Sequence, residues 1–192
     1  PVPARLPVPS AWELDPALHH YRGRAHYTTR IRCGGNIRLS FGGVSFRARV
    51  LLDGNEIAQH YGAFTAFETV VRHLPDGEHA LTVEVDNRFG EDSALHVPND
   101  YYSYGGITRP VVIEQLPDVF VERVGITTKR AADGWTADIS ATIRNLADED
   151  ASADVTLTLA GQTFTQTAHI PADSTAIIRI PDAHYADVTA WT

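Results

Sequence analysis

Along most of the 192 residues, apolar positions come in short runs that alternate with polar ones, the period of two that puts successive side chains on opposite faces of a strand. Val, Ile, Thr, Tyr and Phe fill those runs, and Gly and Pro recur too often for helices of ordinary length. The pattern predicts an all-β protein. Strands are expected over 25–32, 36–41, 46–52, 56–60, 67–71, 80–87 and 110–115. Asp53-Gly54-Asn55 supplies the positive-φ positions of a tight antiparallel hairpin, and Pro75-Asp76-Gly77 reads as the next turn.

A second rhythm begins near Pro117. Strands over 119–129, 135–145, 153–160, 162–170 and 175–180, spaced by short polar turns, fit an immunoglobulin-like sandwich. Alternation is nearly perfect from Trp135 to Arg144, which predicts Trp135, Ala137, Ile139, Ala141 and Ile143 on the core face and a solvated face opposite. Two domains follow, over 1–117 and 118–192. The second is short for a seven-strand sandwich of about 100 residues, so an exposed sheet edge is expected there, with a contact between chains as one way to cover it.

Composition narrows the function classes. A hydrophobic content of 43% gives the chain enough material for one large or two small cores. A formal charge of −8 with no basic run argues against nucleic acid or an anionic membrane as partner. No apolar run approaches the ~20 residues of a membrane-spanning helix and no leader pattern opens the chain, so the sequence reads as soluble and cytoplasmic. The lone Cys33 cannot form an internal disulfide and reads as a half-buried small hydrophobe. The lack of any Met, with Pro1 first, reads as an excised or processed fragment.

Catalytic signatures are scarce. The nine histidines, including the adjacent His19-His20, lack the close H-x-x-x-H spacing of a zinc site, and Asp148-Glu149-Asp150 reads as a solvated acidic turn, so no metal is expected. No nucleophile elbow, phosphate-cradling loop or dinucleotide fingerprint is present, and no cofactor is expected. Glu68, Glu84 and Glu114 occupy strand positions that fit solvated faces better than an acid–base pair.

The densest feature is Asn99-Asp100-Tyr101-Tyr102-Ser103-Tyr104-Gly105-Gly106-Ile107-Thr108-Arg109-Pro110, between two strand-like stretches. Three tyrosines in four positions cost solubility unless they pack or bind, and the Gly pair lets the backbone turn where a Cβ would clash. The segment resembles a signature of glycoside hydrolase family 2, the β-glucuronidase and β-galactosidase group. Four further stretches match in order. Val8-Pro9-Ser10-Ala11-Trp12 with Tyr21-Arg22-Gly23-Arg24-Ala25-His26-Tyr27 is similar to "VPxxW … YxGxxWY", with His26 in place of the usual Trp. The stretch from Leu39 through Asp53-Gly54 to Ile57 is similar to "LRFxGVxxxAxVxLNGxxV". His60-Tyr61-Gly62-Ala63-Phe64-Thr65-Ala66-Phe67-Glu68 is similar to "HxGGFTPFE", and Leu81-Thr82-Val83-Glu84-Val85-Asp86-Asn87 to "LxVxVDN".

The resemblance implies a jelly-roll, galactose-binding-like β-sandwich followed by the immunoglobulin-like one, both preceding a catalytic (β/α)-barrel that carries the two glutamates of a retaining O-glycosidase. No catalytic residue is then expected in this chain, and Ala190-Trp191-Thr192 looks like the start of the last strand of the second domain. It implies a substrate-binding role for Asp100, whose carboxylate would accept from two vicinal sugar hydroxyls, assisted by Asn99, with His96 a weaker candidate. Tyr101, Tyr102, Tyr104, Gly105 and Gly106 are read as shaping the loop. Arg109 is read as its anchor, through a carboxylate or backbone carbonyls. The implied partners are a carbohydrate substrate, the absent barrel and, for the assembly, a homo-oligomer. Readings from other classes are a stand-alone carbohydrate-binding module and an interaction scaffold.

Overall fold

The computed structural model describes residues 5–88, 90 and 102–188, and within them the protein is all β apart from two single 3-10 turns, Trp12–Leu14 and Pro16–Leu18. None of the described residues form a helix long and apolar enough to cross a membrane. The chain divides into two compact units, Pro1–Gln115 and Leu116–Thr192.

The first unit is a jelly-roll-like sandwich built on two very long strands, β1 (Arg24–Phe41) and β5 (Phe67–Asp86). They pair antiparallel from Arg24↔Asp86 to Phe41↔Phe67. Between them in the chain come β2 (Val44–Ser45), β3 (Arg47–Leu52) and β4 (Asn55–Tyr61), and after them β6 (Gly106–Ile107) and β7 (Val111–Leu116). The main sheet has the order β4-β3-β5-β1-β7, and β2 pairs with β6 in a small second sheet. The β3–β4 hairpin turns at Asp53 and Gly54, both at positive φ, as the sequence predicts. Alternate residues face inward, so that Ile37, Leu39, Phe41, Val44, Val50 and Val85 are fully buried beside Trp12.

One expectation is corrected. Pro75-Asp76-Gly77 is not a turn between strands: the chain runs through it as part of β5. The ladder absorbs the surplus as a bulge, with register shifts on either side of Gly35 and His73 at positive φ. Side chains satisfy the backbone groups freed there. Asn36 Oδ1 accepts from the His73 amide at 3.1 Å, and Gln115 Nε2 donates to the Gly34 and Asn36 carbonyls.

The second unit is an immunoglobulin-like sandwich. One sheet has the order β12-β9-β8, formed by β8 (Val119–Ala131), β9 (Gly134–Asn145) and β12 (Thr175–Tyr185); the other is the hairpin of β10 (Ala151–Leu159) and β11 (Gln162–Ile170). On β9, Ala137, Ile139, Ala141 and Ile143 are buried as their alternation predicts, while Trp135 is half-buried. Their cross-strand neighbours Val124 and Ile126 on the edge strand β8 are half exposed, at 51% and 50%. Strand β8 is therefore an apolar edge on this unit.

Candidate functional site

Of the residues singled out in the tyrosine-rich segment, Asn99, Asp100 and Tyr101 lie outside the described residues, as does His96. Tyr102, Tyr104, Gly105, Gly106 and Arg109 are described, and they show how the segment is seated.

Its C-terminal stem lies on the start of the chain. Ser10 N–H donates to the Ile107 carbonyl at 2.8 Å and Trp12 N–H to the Gly105 carbonyl at 3.0 Å, so residues 10–12 act as a short strand beside 105–107. The Gly105 amide in turn donates to both carboxylate oxygens of Glu13, at 3.0 and 3.1 Å. A Cβ on Gly105 would lie 2.3 Å from the Trp12 ring and 2.5 Å from the Asn87 amide, and Gly106 holds φ +114°, so both glycines are required by geometry. Glu13 is the one buried acid among the described residues, its side chain only 3% exposed, and it pairs with Arg22 at 3.3 Å.

Arg22 ties several of these groups together. Nη1 pairs with Glu13 and donates a short hydrogen bond to the Ser103 carbonyl, while the guanidinium lies 5.1 Å from the centre of the Tyr102 ring. Tyr102 is fixed further by a short hydrogen bond from its hydroxyl to the His19 carbonyl, and its ring stacks with His19 and leans on Tyr104 at 4.9 Å. Tyr104 is the more exposed of the two rings, at 55% against 41%. The N-terminal stem is held next door: the fully buried Asn87 accepts from Gly23 N–H through Oδ1 at 3.0 Å, and its own N–H reaches the Gly23 carbonyl at 3.2 Å.

Arg109 is seated elsewhere. Its guanidinium donates to the Phe64 carbonyl at 3.0 Å and its stem covers Gly42 and Gly43, which ties the segment after β6 to the β4–β5 connection. The residues that hold the tyrosine-rich stems are Glu13, Arg22 and Asn87. Sequence reasoning missed Glu13 altogether and used Arg22 and Asn87 only as marks of the fold. The available signal was their position, each within one residue of a motif Trp, Gly or Asp.

Other chemistry-bearing groups resolve into structural pairs. Arg38 lies 3.9 Å from Glu68 and 3.3 Å from Glu114, and Arg49 pairs with Glu84 at 3.2 Å. Arg24, Arg47, Arg49, Gln59, Tyr61 and Asp86 line an open concavity of about 750 Å³ on the outer face of the main sheet. Burial pushes the Asp86 carboxyl up, but hydrogen bonds from Arg88 and Arg24 outweigh it and hold the group far below the usual carboxylate range. Burial, then the nearby Asp53 charge, pushes the Cys33 thiol up, away from a reactive thiolate. Among the described residues, no three His, Cys, Asp or Glu side chains are grouped so as to hold a metal ion.

No protein-family model matches the chain. Over 97% of its length it superposes on a GH2 β-galacturonidase from Eisenbergiella tayi, solved with galacturonate bound, at a TM-score of 0.88 and 37% identity, and it covers 34% of that protein. A β-glucuronidase from Paenibacillus borealis is 26% identical over 152 residues, 64% of this chain and 26% of the relative. The Bacteroides uniformis β-glucuronidase shares the fold at a TM-score of 0.85 and 22% identity, over 98% of this chain and 25% of its own. The chain thus spans about a third of the galacturonidase's length and about a quarter of each glucuronidase's.

Proposed function

The chain belongs to glycoside hydrolase family 2, as the N-terminal region of such a protein, and from that premise we propose that the whole protein is a retaining β-glycosidase acting on β-linked uronides or galactosides. The observation that carries the reading is the 37% identity to a β-galacturonidase over 97% of this chain. Retaining hydrolysis needs two carboxyl groups about 5 Å apart across the scissile bond. We assign both to a barrel outside these residues, because Glu68, Glu84 and Glu114 are each engaged by an arginine on the first unit's sheet.

In this reading the two units, taken as domains over 1–117 and 118–192, are scaffold, and the tyrosine-rich segment is the part that meets substrate. Asp100, with Asn99, accepts hydrogen bonds from sugar hydroxyls, which an ionised carboxylate does at two vicinal positions at once. Tyr102, Tyr104, Gly105 and Gly106 shape that segment, and Arg109 anchors the chain that follows it to the Phe64 carbonyl. A homo-oligomer and a cytoplasmic location complete the proposal; the apolar edge on β8 supports the first, and native mass and cell fractionation test them.

The deciding experiment measures hydrolysis of p-nitrophenyl β-D-galacturonide, β-D-glucuronide and β-D-galactoside by the product of the full reading frame and, in parallel, by these 192 residues. The full product should be active and the 192 residues inert. Activity in the shorter chain would overturn the placement of the carboxyl pair. An inert full product beside oligosaccharide binding by the shorter chain would establish a stand-alone binding module instead.

A further inference from the structure

We propose that Glu13 and Arg22 are positioning residues that clamp the C-terminal stem of the segment between Asn87 and Ser103, beside the Gly23–Asn87 contacts that hold its other stem, and so set where its substrate-facing part sits. The proposal rests on the reading of Asp100 given above. Two stems of one excursion converge on the dipeptide Arg22-Gly23: Gly23 exchanges both of its backbone hydrogen bonds with Asn87, and Arg22 takes the Ser103 carbonyl. Glu13 closes the arrangement from below, pairing with Arg22 and receiving the Gly105 amide on both oxygens.

The chemistry of the clamp explains why a carboxylate, Glu13, is buried here with a half-buried arginine beside it. At Ser103 and Gly105 the backbone leaves the sheet ladder, so a carbonyl and an amide need partners that no neighbouring strand supplies. A carboxylate satisfies the donor, a guanidinium satisfies the acceptor, and each neutralises the other, so neither charge is left uncompensated. Guanidinium geometry adds the contact with the Tyr102 ring, which an ammonium on a flexible stem would not reproduce. Trp12 and Asn87, both buried, press on Gly105 and leave the stem no room to shift. A misplacement of about 1 Å at a reacting group costs on the order of a hundredfold in rate, so a clamp on the stem is a lever on catalysis without touching substrate.

The test uses the full-length enzyme and p-nitrophenyl β-D-galacturonide, with kcat, KM and melting temperature measured for Asp100→Ala, Glu13→Gln, Arg22→Lys and each double variant with Asp100→Ala. Glu13→Gln keeps the shape and removes the charge; Arg22→Lys keeps the charge and loses the fork, and serves where the first variant folds poorly. Each clamp variant is expected to lower kcat/KM by about tenfold or more in the wild-type background and to have no further effect once Asp100 is Ala, the non-additivity of groups acting as one unit. Losses that simply multiply in the double variants, or clamp variants with unchanged kcat/KM beside a damaged Asp100→Ala enzyme, would overturn the clamp while leaving the Asp100 reading intact. An unaffected Asp100→Ala enzyme would overturn both.

Discussion

His79 Nδ1 donates to the Asp53 carboxylate at 2.6 Å while its other ring nitrogen faces the Pro75 carbonyl at 2.8 Å, so both nitrogens of a buried imidazole meet acceptors. Such a ring is most stable carrying both protons. It fastens the β3–β4 turn to the bulge of β5, and Asp53 strengthens the tie by accepting the Ala80 amide at 2.8 Å.

The pair sets a pH dependence. The hydrogen bond to Asp53, then the Pro75 carbonyl, raises the His79 pKa above its ordinary value near 6.5; the bonds from His79 and Ala80, with the Arg30 charge nearby, lower that of Asp53. The His79 contribution to stability is complete below about pH 6.5 and is lost as pH rises through the raised value. The Asp53 contribution is complete above about pH 4 and is lost as pH falls through the lowered one. Melting temperatures across this range should show a plateau between the two limbs, and His79→Gln should flatten the alkaline limb. An unchanged alkaline slope in the variant would show that the pair does not govern it.

Gly105→Ala should destabilise the first unit. Its methyl group would have to displace the Trp12 ring or the Asn87 amide, both fully packed, and overpacking of this kind costs roughly 1–3 kcal/mol. Urea unfolding followed by tryptophan fluorescence measures the loss, and a variant as stable as the parent would mean that Trp12 has another place to go.

Asn145→Asp should be the harsher of two changes at one site. The Asn145 amide nitrogen, buried at the end of β9, donates to the Glu149, Ile170 and Pro171 carbonyls, and its oxygen accepts the Ala147 amide at 2.9 Å. Alanine leaves those groups unsatisfied, at about 1–3 kcal/mol. Aspartate puts a carboxylate against three carbonyl oxygens, so it should cost more than alanine near neutral pH and recover part of the loss in acid, when it is protonated. Chemical denaturation of both variants at two pH values decides the order.

The strands were legible because alternation is a strong signal wherever one face is buried, as along β9 from Ala137 to Ile143. The Asp53-Gly54 turn was legible because few residues accept positive φ. Continuity of β5 was not: Pro75-Asp76-Gly77 has turn composition, and whether it turns or bulges depends on Asn36 and Gln115, distant in the chain, being there to take the freed backbone groups. Strands β2 and β6, two residues each, are too short to carry a period. At the candidate site the tyrosine-rich segment stood out by composition, but Glu13 and Arg22 did not, since nothing local links them to partners some eighty or ninety residues later.

The ladder between β1 and β5, interrupted only by its bulge at Gly35, also sets how much loop closure each part of the first unit requires. Its rungs span very different lengths of chain, shortest at Phe41 and Phe67, whose rings stack at 4.8 Å, and longest at Arg24 and Asp86. The β3–β4 hairpin lies wholly inside the shortest rung and turns on two residues, so the hairpin shortens the effective loop that the Phe41–Phe67 rung must close. Each rung made from the Phe41 end shortens the span left for the next, and the rung at Arg24 closes the longest loop of the ladder. Gly23 and Asn87 lie just beyond that rung, so the base of the tyrosine-rich segment rests on the part of the ladder whose closure costs the most chain entropy.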